Sequence, residues 1–134
     1  FTIGGDASFS LIVEPALPFM YIPQSQFTAF ITQMITVFPD LHCVGANGYC
    51  FKNSPCTEDM TRIQFSLGAR HEAFDMSANR FMIPGTEVGD NADTCYFAFF
   101  RQEIASDENW YFGNIFMQKY YTIYDASTID NGYI

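Results

Sequence analysis

Four cysteines and two histidines are the side chains of this sequence best suited to metal binding or to disulfide formation. The cysteines stand at positions 43, 50, 56 and 95, and none of them forms a Cys-x-x-Cys pair. His42 and His71 do not make a His-x₃₋₅-His arrangement, so we expect no zinc site, no other metal and no cofactor. Two disulfides in an oxidising compartment are the better interpretation.

Four cysteines can pair in more than one way. We favour Cys43–Cys50, which closes a short local loop, and Cys56–Cys95, which joins two distant strands. These bonds can tie down the long irregular loop in which three of the cysteines lie.

The sequence contains neither a serine nucleophile motif nor a calcium-binding loop. Ser8, Ser10 and Ser25 lack the flanking residues of a nucleophile elbow. The acidic residues between positions 90 and 108 do not follow the Asp-x-Asp-x-Asp-Gly pattern of a calcium loop. They are typical of solvated turns.

The composition describes one acidic domain that is rich in aromatic residues. Its 134 residues suit a single domain with a real core, and an aromatic content of 18% favours β structure over a helical bundle. The net charge of −9, with 6 Lys and Arg, argues against nucleic acid and anionic membranes as partners. No apolar run is long enough to span a membrane. The chain begins within a strand pattern and not with a Met-led signal peptide, so we expect a mature, cleaved or partially observed product.

The elements that would position functional groups are mostly short strands. Residues 1–13 predict a β-hairpin, and residues 63–67 alternate as a half-buried strand that turns at Gly68-Ala69 and returns. One clear helix is predicted over 23–36, because apolar residues recur there at i, i+3, i+4 and i+7. Its core face consists of Phe27, Phe30, Ile31 and Met34.

The rest of the chain predicts turns, short strands and one more helical turn. The segments are a loop at 41–61 tied down by cysteines, a strand at 79–83, a nearly continuous buried strand at 95–100, a short helix at 113–118, a strand at 119–125 and a closing hairpin at 126–134.

The tail carries the most specific pattern in the chain. It begins with Trp110, two apolar residues, Gly113 and a polar residue, and it continues as a Tyr-Tyr-Thr-apolar-aromatic-Asp strand that ends at Asp125. This block closely resembles the last part of the pepsin-like aspartic proteases. Ile63–Gly68, together with Cys56 and Cys95 at the family's disulfide positions, extends the resemblance over nearly the whole chain.

The resemblance implies an all-β fold with short helices, one lobe of the pepsin-like double-psi β-barrel. Residues 1–134 would then be a single C-terminal-type lobe. Some other disulfide-bonded β-barrel is the alternative. In the family, two carboxylates, one from each lobe, share a proton and activate a water molecule that attacks the peptide carbonyl.

The family's Asp-Thr/Ser-Gly-Thr/Ser loop corresponds here to Glu14, Pro15, Ala16 and Leu17. Glu14 is longer than Asp by one methylene, roughly 1.5 Å, whereas catalytic sites tolerate about 0.5 Å. Pro15 fixes φ and lacks an amide donor, Ala16 adds a Cβ where the backbone must pack closely, and Leu17 cannot hydrogen-bond across the lobes. Four substitutions in a row predict a site that has lost peptidase activity.

The resemblance also assigns cleft or loop-supporting positions, namely Phe19, Tyr21, Tyr111, Phe112 and Gly113. The two apolar residues before Gly113 would support the catalytic loop in this family. Tyr111, Phe112 and Gly113 would thus form one half of a catalytic support whose other half lies around Glu14.

The function expected from these residues is that of a pseudoprotease lobe with a structural or binding role in a larger assembly. Its partners would be an N-terminal lobe, in the same or a separate chain, and other protein subunits. A retroviral type of homodimer would need two intact motifs. The alternatives are an active endopeptidase that uses Glu14 with an Asp of the other lobe, and an inhibitor or carbohydrate-binding protein. Disulfides place the protein in the secretory pathway, whether extracellular, vacuolar or lysosome-like.

Overall fold

The computed structural model describes residues 9–44, 48–67 and 72–124. Most of the hairpin predicted at 1–13, the turn at 68–71 and the closing hairpin after 124 lie outside these residues. The described strands are β1 Leu11–Val13, β2 Met20–Ile22, β3 His42–Val44, β4 Tyr49–Lys52, β5 Arg62–Leu67, β6 Glu72–Ser77, β7 Met82–Pro84, β8 Cys95–Phe97, β9 Phe99–Arg101 and β10 Trp110–Phe112. The helices are α1 Gln24–Val37, α2 Ala78–Phe81 and α3 Asn114–Met117, with a 3₁₀ turn at Gly85–Val88.

The first sheet has the order β1-β10-β2-β9. Strand β10, from the tail, lies between β1 and β2, parallel to β1 and antiparallel to β2, so that Tyr111 pairs with both Ile12 and Tyr21. Since β1 and β2 are joined by residues 14–19, that loop must cross over the end of β10. Strands β1 and β2 are consecutive in sequence, but in the sheet they are separated by β10, which comes from much later in the chain.

Helix α1 confirms the predicted helix to within one residue at each end. Pro23 is the N-cap residue directly before the first turn, with a φ of −52° and an extended ψ of 142°, so it ends the preceding extended segment. The buried side chains include Phe27, Phe30 and Met34, and Ile31 packs beside them at the edge of the core. The apolar period therefore corresponds to the face that the helix buries.

Aromatic rings fill the space between helix α1 and the two larger sheets. The ring centroids of Phe30 and Phe99 are 5.0 Å apart, and those of Phe81 and Phe97 are 5.4 Å apart. Trp110 Nε1 donates a buried hydrogen bond of 2.8 Å to Gln26 Oε1, which satisfies the indole inside the core. The high aromatic content thus supplies the core of a small β-rich domain.

The prediction of a loop at 41–61 is wrong for the first half of that segment, where β3 and β4 form a hairpin. Cys43 and Cys50 stand directly opposite each other in that hairpin and are joined by a disulfide. Strand β4 also pairs with β8, placing Phe51 beside Tyr96, in a sheet of order β3-β4-β8-β7. A glycine-rich and cysteine-rich segment becomes a strand here because a distant strand supplies its second set of backbone partners.

Two predicted strands are also divided differently in the structure. The continuous strand over 95–100 breaks at Ala98, whose N–H donates to Phe81 O (2.7 Å) and whose carbonyl accepts from Met20 N–H (3.0 Å). Strand β8 therefore belongs to the second sheet and β9 to the first. Over 79–83, the chain first makes the short helix α2 and becomes extended only at Met82.

The strand predicted at 119–125 is not observed over residues 119–124, because no described strand runs beside it. Tyr120 instead covers the open edge of β6: its hydroxyl accepts from Asp75 N–H (2.8 Å) and donates to Asp75 O (2.6 Å). Asp75 Oδ2 also lies 3.2 Å from both Arg62 and Lys119. Within the described ranges, no helix is long and apolar enough to cross a membrane.

Replacing Asp75 with Asn is expected to destabilise the protein at neutral pH and to have a much smaller effect in acid. The hydrogen bond and the charge of Lys119, followed by the charge of Arg62, lower the pKa of Asp75 below its ordinary value of 3.8. The folded state therefore favours the carboxylate, and this stabilisation is present above the unfolded-state pKa and is lost as the pH falls through the folded-state value. Urea unfolding of both proteins across this pH range measures the difference.

The matched control for Asp75→Asn is the same substitution in a Lys119→Met background. Lys119 is the first cause of the lowered pKa, so its removal should shrink the pH-dependent part of the effect. An Asp75→Asn effect of the same size at every pH would mean that lost hydrogen bonding, and not the charge, causes the destabilisation.

Candidate active site

The loop at residues 14–19 leaves the end of strand β1 and is held first by β10. Glu14 N–H donates to Phe112 O at 3.0 Å, which extends the pairing of β1 and β10 by one residue. Leu17 N–H then donates to Glu14 O at 3.2 Å and closes a turn across Pro15 and Ala16. The backbone of the loop is therefore built on the strand that the tail inserts.

The second half of the loop is held by the start of helix α3. Gly113 N–H donates to Phe19 O (3.0 Å), and Asn114 N–H donates to Leu17 O (2.7 Å). Ile115 N–H reaches Pro18 O at 3.2 Å. The unpaired amides at a helix N-terminus thus find acceptors in the loop.

Gly113 is the position at which the two segments approach most closely. A Cβ at this residue would lie 2.3 Å from both Leu17 O and Phe19 O, and both neighbours are backbone atoms. The φ of Gly113 is −86°, so the requirement for glycine is one of space and not of backbone conformation. By contrast, Ala16 is exposed, so the packing conflict expected for its Cβ does not arise in this lobe.

The carboxylate of Glu14 folds back onto its own loop. Its Oε1 atom accepts a hydrogen bond of 3.0 Å from Ala16 N–H. The side chain is half-buried, and among the described residues no second carboxylate is hydrogen-bonded to it. Within this lobe, the loop holds one carboxyl group and not a pair that could share a proton.

Tyr111 is fixed to the segment before β10. Its hydroxyl donates to Asp107 Oδ2 at 2.9 Å, and this hydrogen bond, helped by burial, raises the pKa of Tyr111 above its ordinary value. The pKa of Asp107 is lowered, chiefly by the Asn109 N–H that donates to its carboxylate and also by the Tyr111 hydroxyl. Tyr111 therefore stays a neutral donor that anchors its strand.

Of the other predicted site residues, Phe19 and Tyr21 form a pair at the surface, whereas Phe112 lies in the core. Phe19 stacks on Phe100 with ring centroids 5.1 Å apart, and Tyr21 lies 6.0 Å from the same ring. Phe112 is 1% exposed and packs against Phe65 at 4.9 Å, so it supports the loop from the core and cannot meet a ligand.

An open cavity of about 440 Å³ lies beside this surface pair. It is lined by Tyr21, Gln24, Gly48, Phe100, Arg101, Gln102 and Glu103. Burial, and then the charge of Glu103, raise the pKa of Tyr21. Phe100 was not foreseen as a site residue, because only the pairing of β2 with β9 brings it to Tyr21.

Both disulfides are present, Cys43–Cys50 and Cys56–Cys95. The second joins the segment before β5 to the start of β8. In the described part of the chain, no group of three His, Cys, Asp or Glu side chains is arranged to hold a metal ion.

The fold of this chain is similar to that of solved structures, although its sequence has diverged. The crystal structure of basic 7S globulin from soybean superposes with a TM-score of 0.61 at 14% identity. The similarity covers 87% of this chain and 31% of that one, so this chain spans about a third of its length. At this identity the likeness shows the fold alone. No curated protein sequence matches.

The comparisons confirm the predicted fold class, a mostly β structure with short helices that is consistent with one lobe of the pepsin-like fold. The sequence model of the family described as "Eukaryotic aspartyl protease" matches residues 6–132. Since that match includes β1, the loop at 14–19 and the inserted tail strand, it covers every element of the candidate site. The chain belongs to the eukaryotic aspartyl protease family.

Proposed function

We propose that residues 1–134 form a single C-terminal-type lobe that is not catalytic, a pseudoprotease with a structural or binding role. It would act together with an N-terminal lobe, in the same polypeptide or in a separate one. The observation that carries the proposal is the composition of the loop at the end of β1, which presents Glu14, Pro15, Ala16 and Leu17 where the family's catalytic loop is expected.

Aspartic-type hydrolysis needs two carboxylates close enough to share one proton and to activate water between them. Glu14 is longer than aspartate by one methylene, which displaces its carboxylate by roughly 1.5 Å from the place where an aspartate would meet a partner across the lobes. Pro15 and Leu17 stand where the family has hydroxyl residues, so they offer no hydroxyl for a hydrogen bond between lobes. The substitutions therefore weaken both the position of the carboxylate and the hydrogen bonding between the lobes.

The need for a partner is supported by the surface beside β1. This strand is at the edge of its sheet among the described residues, and Phe9 and Ile12 are 39% and 38% exposed. Tyr124, also exposed, donates from its hydroxyl to Val13 O at 3.1 Å and so lies on the same edge. Apolar side chains along a strand edge are a liability unless something covers them. The two disulfides support a role in the secretory pathway, extracellular or in a vacuolar or lysosome-like compartment.

The purified protein, combined with its N-terminal lobe, is expected to cleave no unfolded protein substrate at acidic pH above the buffer blank. Glu14→Gln should leave this result unchanged, because the side chain is proposed to do no chemistry. The positive control restores the family's loop with Glu14→Asp, Pro15→Thr, Ala16→Gly and Leu17→Thr. Cleavage is followed on a gel and by mass spectrometry, with and without a pepstatin-type inhibitor.

The second candidate function is an aspartic endopeptidase in which Glu14 works with an Asp of the other lobe. One observation favours it, namely that the Ala16 amide still donates to the carboxylate and so helps to hold an anion at this position. Inhibitor-sensitive cleavage by the native protein that disappears in Glu14→Gln would establish this function and reject the pseudoprotease. The four-residue variant shows whether the assay detects an active site in this assembly.

A further inference from the structure

Met60 differs from the other methionines of this chain in its exposure to solvent. Its side chain is 60% exposed. The other five methionines are buried or half-buried, namely Met20, Met34, Met76, Met82 and Met117. A thioether is a soft, polarizable group, and on the surface it can react with oxidants that a packed core excludes. Met60 is therefore the methionine whose sulfur is most open to chemistry.

The backbone on both sides of Met60 is held by the start of helix α2. Asn79 Oδ1 accepts a hydrogen bond of 2.6 Å from Asp59 N–H, and Asn79 N–H donates to Asp59 O at 3.3 Å. Ala78 N–H donates to Thr61 O at 2.7 Å. Residues 59–61 are thus attached to α2 by their backbone groups, while the side chain between these contacts remains at the surface.

The other end of the Asn79 amide is directed at the sulfur of Met60. Asn79 Nδ2 donates to Met60 Sδ at a distance of 3.6 Å. A thioether sulfur is a weak acceptor, so this contact contributes little in the reduced protein. An oxygen atom added to the sulfur would offer the same donor a polar acceptor instead. The amide is therefore placed where it can bind the oxidised form of the side chain.

We propose that Met60 is a reversible oxidation site whose sulfoxide is bound by Asn79. The oxidant is a peroxide, represented here by hydrogen peroxide. A sulfur lone pair attacks one peroxide oxygen, the O–O bond breaks, and the departing hydroxide takes the proton of the transferred oxygen to form water. The sulfur loses two electrons and gains an S–O bond, while the peroxide is reduced. Methionine sulfoxide reductases reverse the modification.

The sulfoxide is expected to strengthen the attachment of residues 59–61 to helix α2. The end of the Met60 side chain is exposed, so rotation about its Cγ–Sδ bond can turn the new oxygen towards Asn79 Nδ2. An N–H···O hydrogen bond of about 2.9 Å would then replace the longer contact with sulfur. In a core, a sulfoxide disrupts packing. At this surface position, by contrast, it is solvated and has a donor.

Mild treatment of the purified protein with hydrogen peroxide tests the selectivity of the site. Peptide mapping by mass spectrometry is expected to show one added oxygen at Met60 before any other methionine. The rate should exceed that of Met20 and Met34 by at least about tenfold, because buried side chains react only when the fold opens. Met60→Leu should remove this first oxidation and leave the later ones unchanged.

Hydrogen exchange tests the role of Asn79. Oxidation should slow the exchange of Asp59 N–H roughly threefold, the effect of gaining one ordinary hydrogen bond, and a sulfoxide reductase should restore the original rate. Gln102 N–H, which donates to Ile22 O at 2.9 Å, is the internal reference and should not change.

The matched variant for this test is Asn79→Asp, which keeps an acceptor for Asp59 N–H but lacks the Nδ2 donor. Met60 should still be oxidised in this variant, and the slowing of Asp59 exchange should disappear. Circular dichroism and melting curves verify that each variant is folded.

Three results would overturn the proposal. Oxidation of Met82 or Met117 as fast as that of Met60 would reject the selectivity of the site. Unchanged or faster exchange at Asp59 after oxidation, or equal slowing in Asn79→Asp, would reject the binding of the sulfoxide by Asn79. An effect of peroxide on Asp59 in Met60→Leu would assign the effect to another residue. None of these readouts depends on peptidase activity, so they are independent of the function proposed for the loop at Glu14.

Discussion

Replacing Gly113 with alanine is expected to lower the free energy of unfolding by about 3 kcal/mol or more, the upper range for overpacking in a protein interior. The added Cβ would stand 2.3 Å from Leu17 O and from Phe19 O. Both carbonyls already accept hydrogen bonds, from Asn114 N–H and Gly113 N–H, so moving them breaks the contacts that hold the loop. Urea unfolding followed by circular dichroism measures the loss.

The matched control for Gly113→Ala is Gly89→Ala. Gly89 has a φ of +81° but no heavy atom within 4 Å of its Cβ position, so alanine there meets only backbone strain, about 1–2 kcal/mol. Gly113 has ordinary backbone angles and meets only the steric conflict. If the two variants lost equal stability, the close approach of β10 to the loop would not be the reason for glycine at position 113. Hydrogen exchange should also show faster exchange of Asn114 N–H in Gly113→Ala.

Removing the Cys56–Cys95 disulfide is expected to cost about 4 kcal/mol, the larger effect of the two disulfides. The bond joins residues 39 apart in sequence, whereas Cys43–Cys50 joins residues 7 apart. A disulfide that closes a longer loop removes more conformational entropy from the unfolded chain. The same entropy estimate therefore gives about 2.5 kcal/mol for the Cys43–Cys50 disulfide, which closes the shorter loop. Double Cys→Ala variants at each pair, compared by urea unfolding, test the order of the two effects.

The structural context of the two disulfides favours the same order. Strands β5, β6 and β7 and helix α2 all lie between Cys56 and Cys95, so that bond closes off a substantial part of the domain. Cys43 and Cys50 are already opposite each other in a hairpin, and backbone pairing remains there when the bond is removed. A larger loss from the Cys43–Cys50 pair would show that the hairpin depends on its disulfide more than on β4 and β8.

On the proposal above, the candidate site combines the backbone scaffold of a loop at the end of β1 with altered side-chain chemistry. Gly113, Phe112 and the amides at the start of α3 still hold a loop at the end of β1. If residues 14–17 correspond to the family's catalytic loop, as we propose, Glu14, Pro15, Ala16 and Leu17 differ from its Asp-Thr/Ser-Gly-Thr/Ser pattern at every position. Scaffold and chemistry can separate in this way because the backbone contacts depend on few side chains. This separation is the physical basis for the pseudoprotease proposal.

Local patterns in the sequence determined a large part of the fold. The period of Phe27, Phe30 and Met34 predicted helix α1, because a single helix face decides which side chains are buried. The alternation over 63–67 predicted β5, and the tail block identified the family that the match over residues 6–132 shows. The same block carried the expectation that Gly113 supports the loop at Glu14. Each of these signals lies within one short stretch of chain.

Tertiary structure alone decided the features that depend on distant backbone partners. Strands β3 and β4 exist because β8 pairs with β4, and Ala98 breaks a continuous apolar run because Phe81 and Met20 take its backbone groups. Residues 119–124 alternate like a strand but find no described strand beside them. Likewise, the close backbone contact that leaves no room for a Cβ at position 113 forms only when β10 enters between β1 and β2. Sequence specifies which residues prefer burial or extension, whereas strand pairing requires hydrogen-bonding partners that only the folded chain brings together.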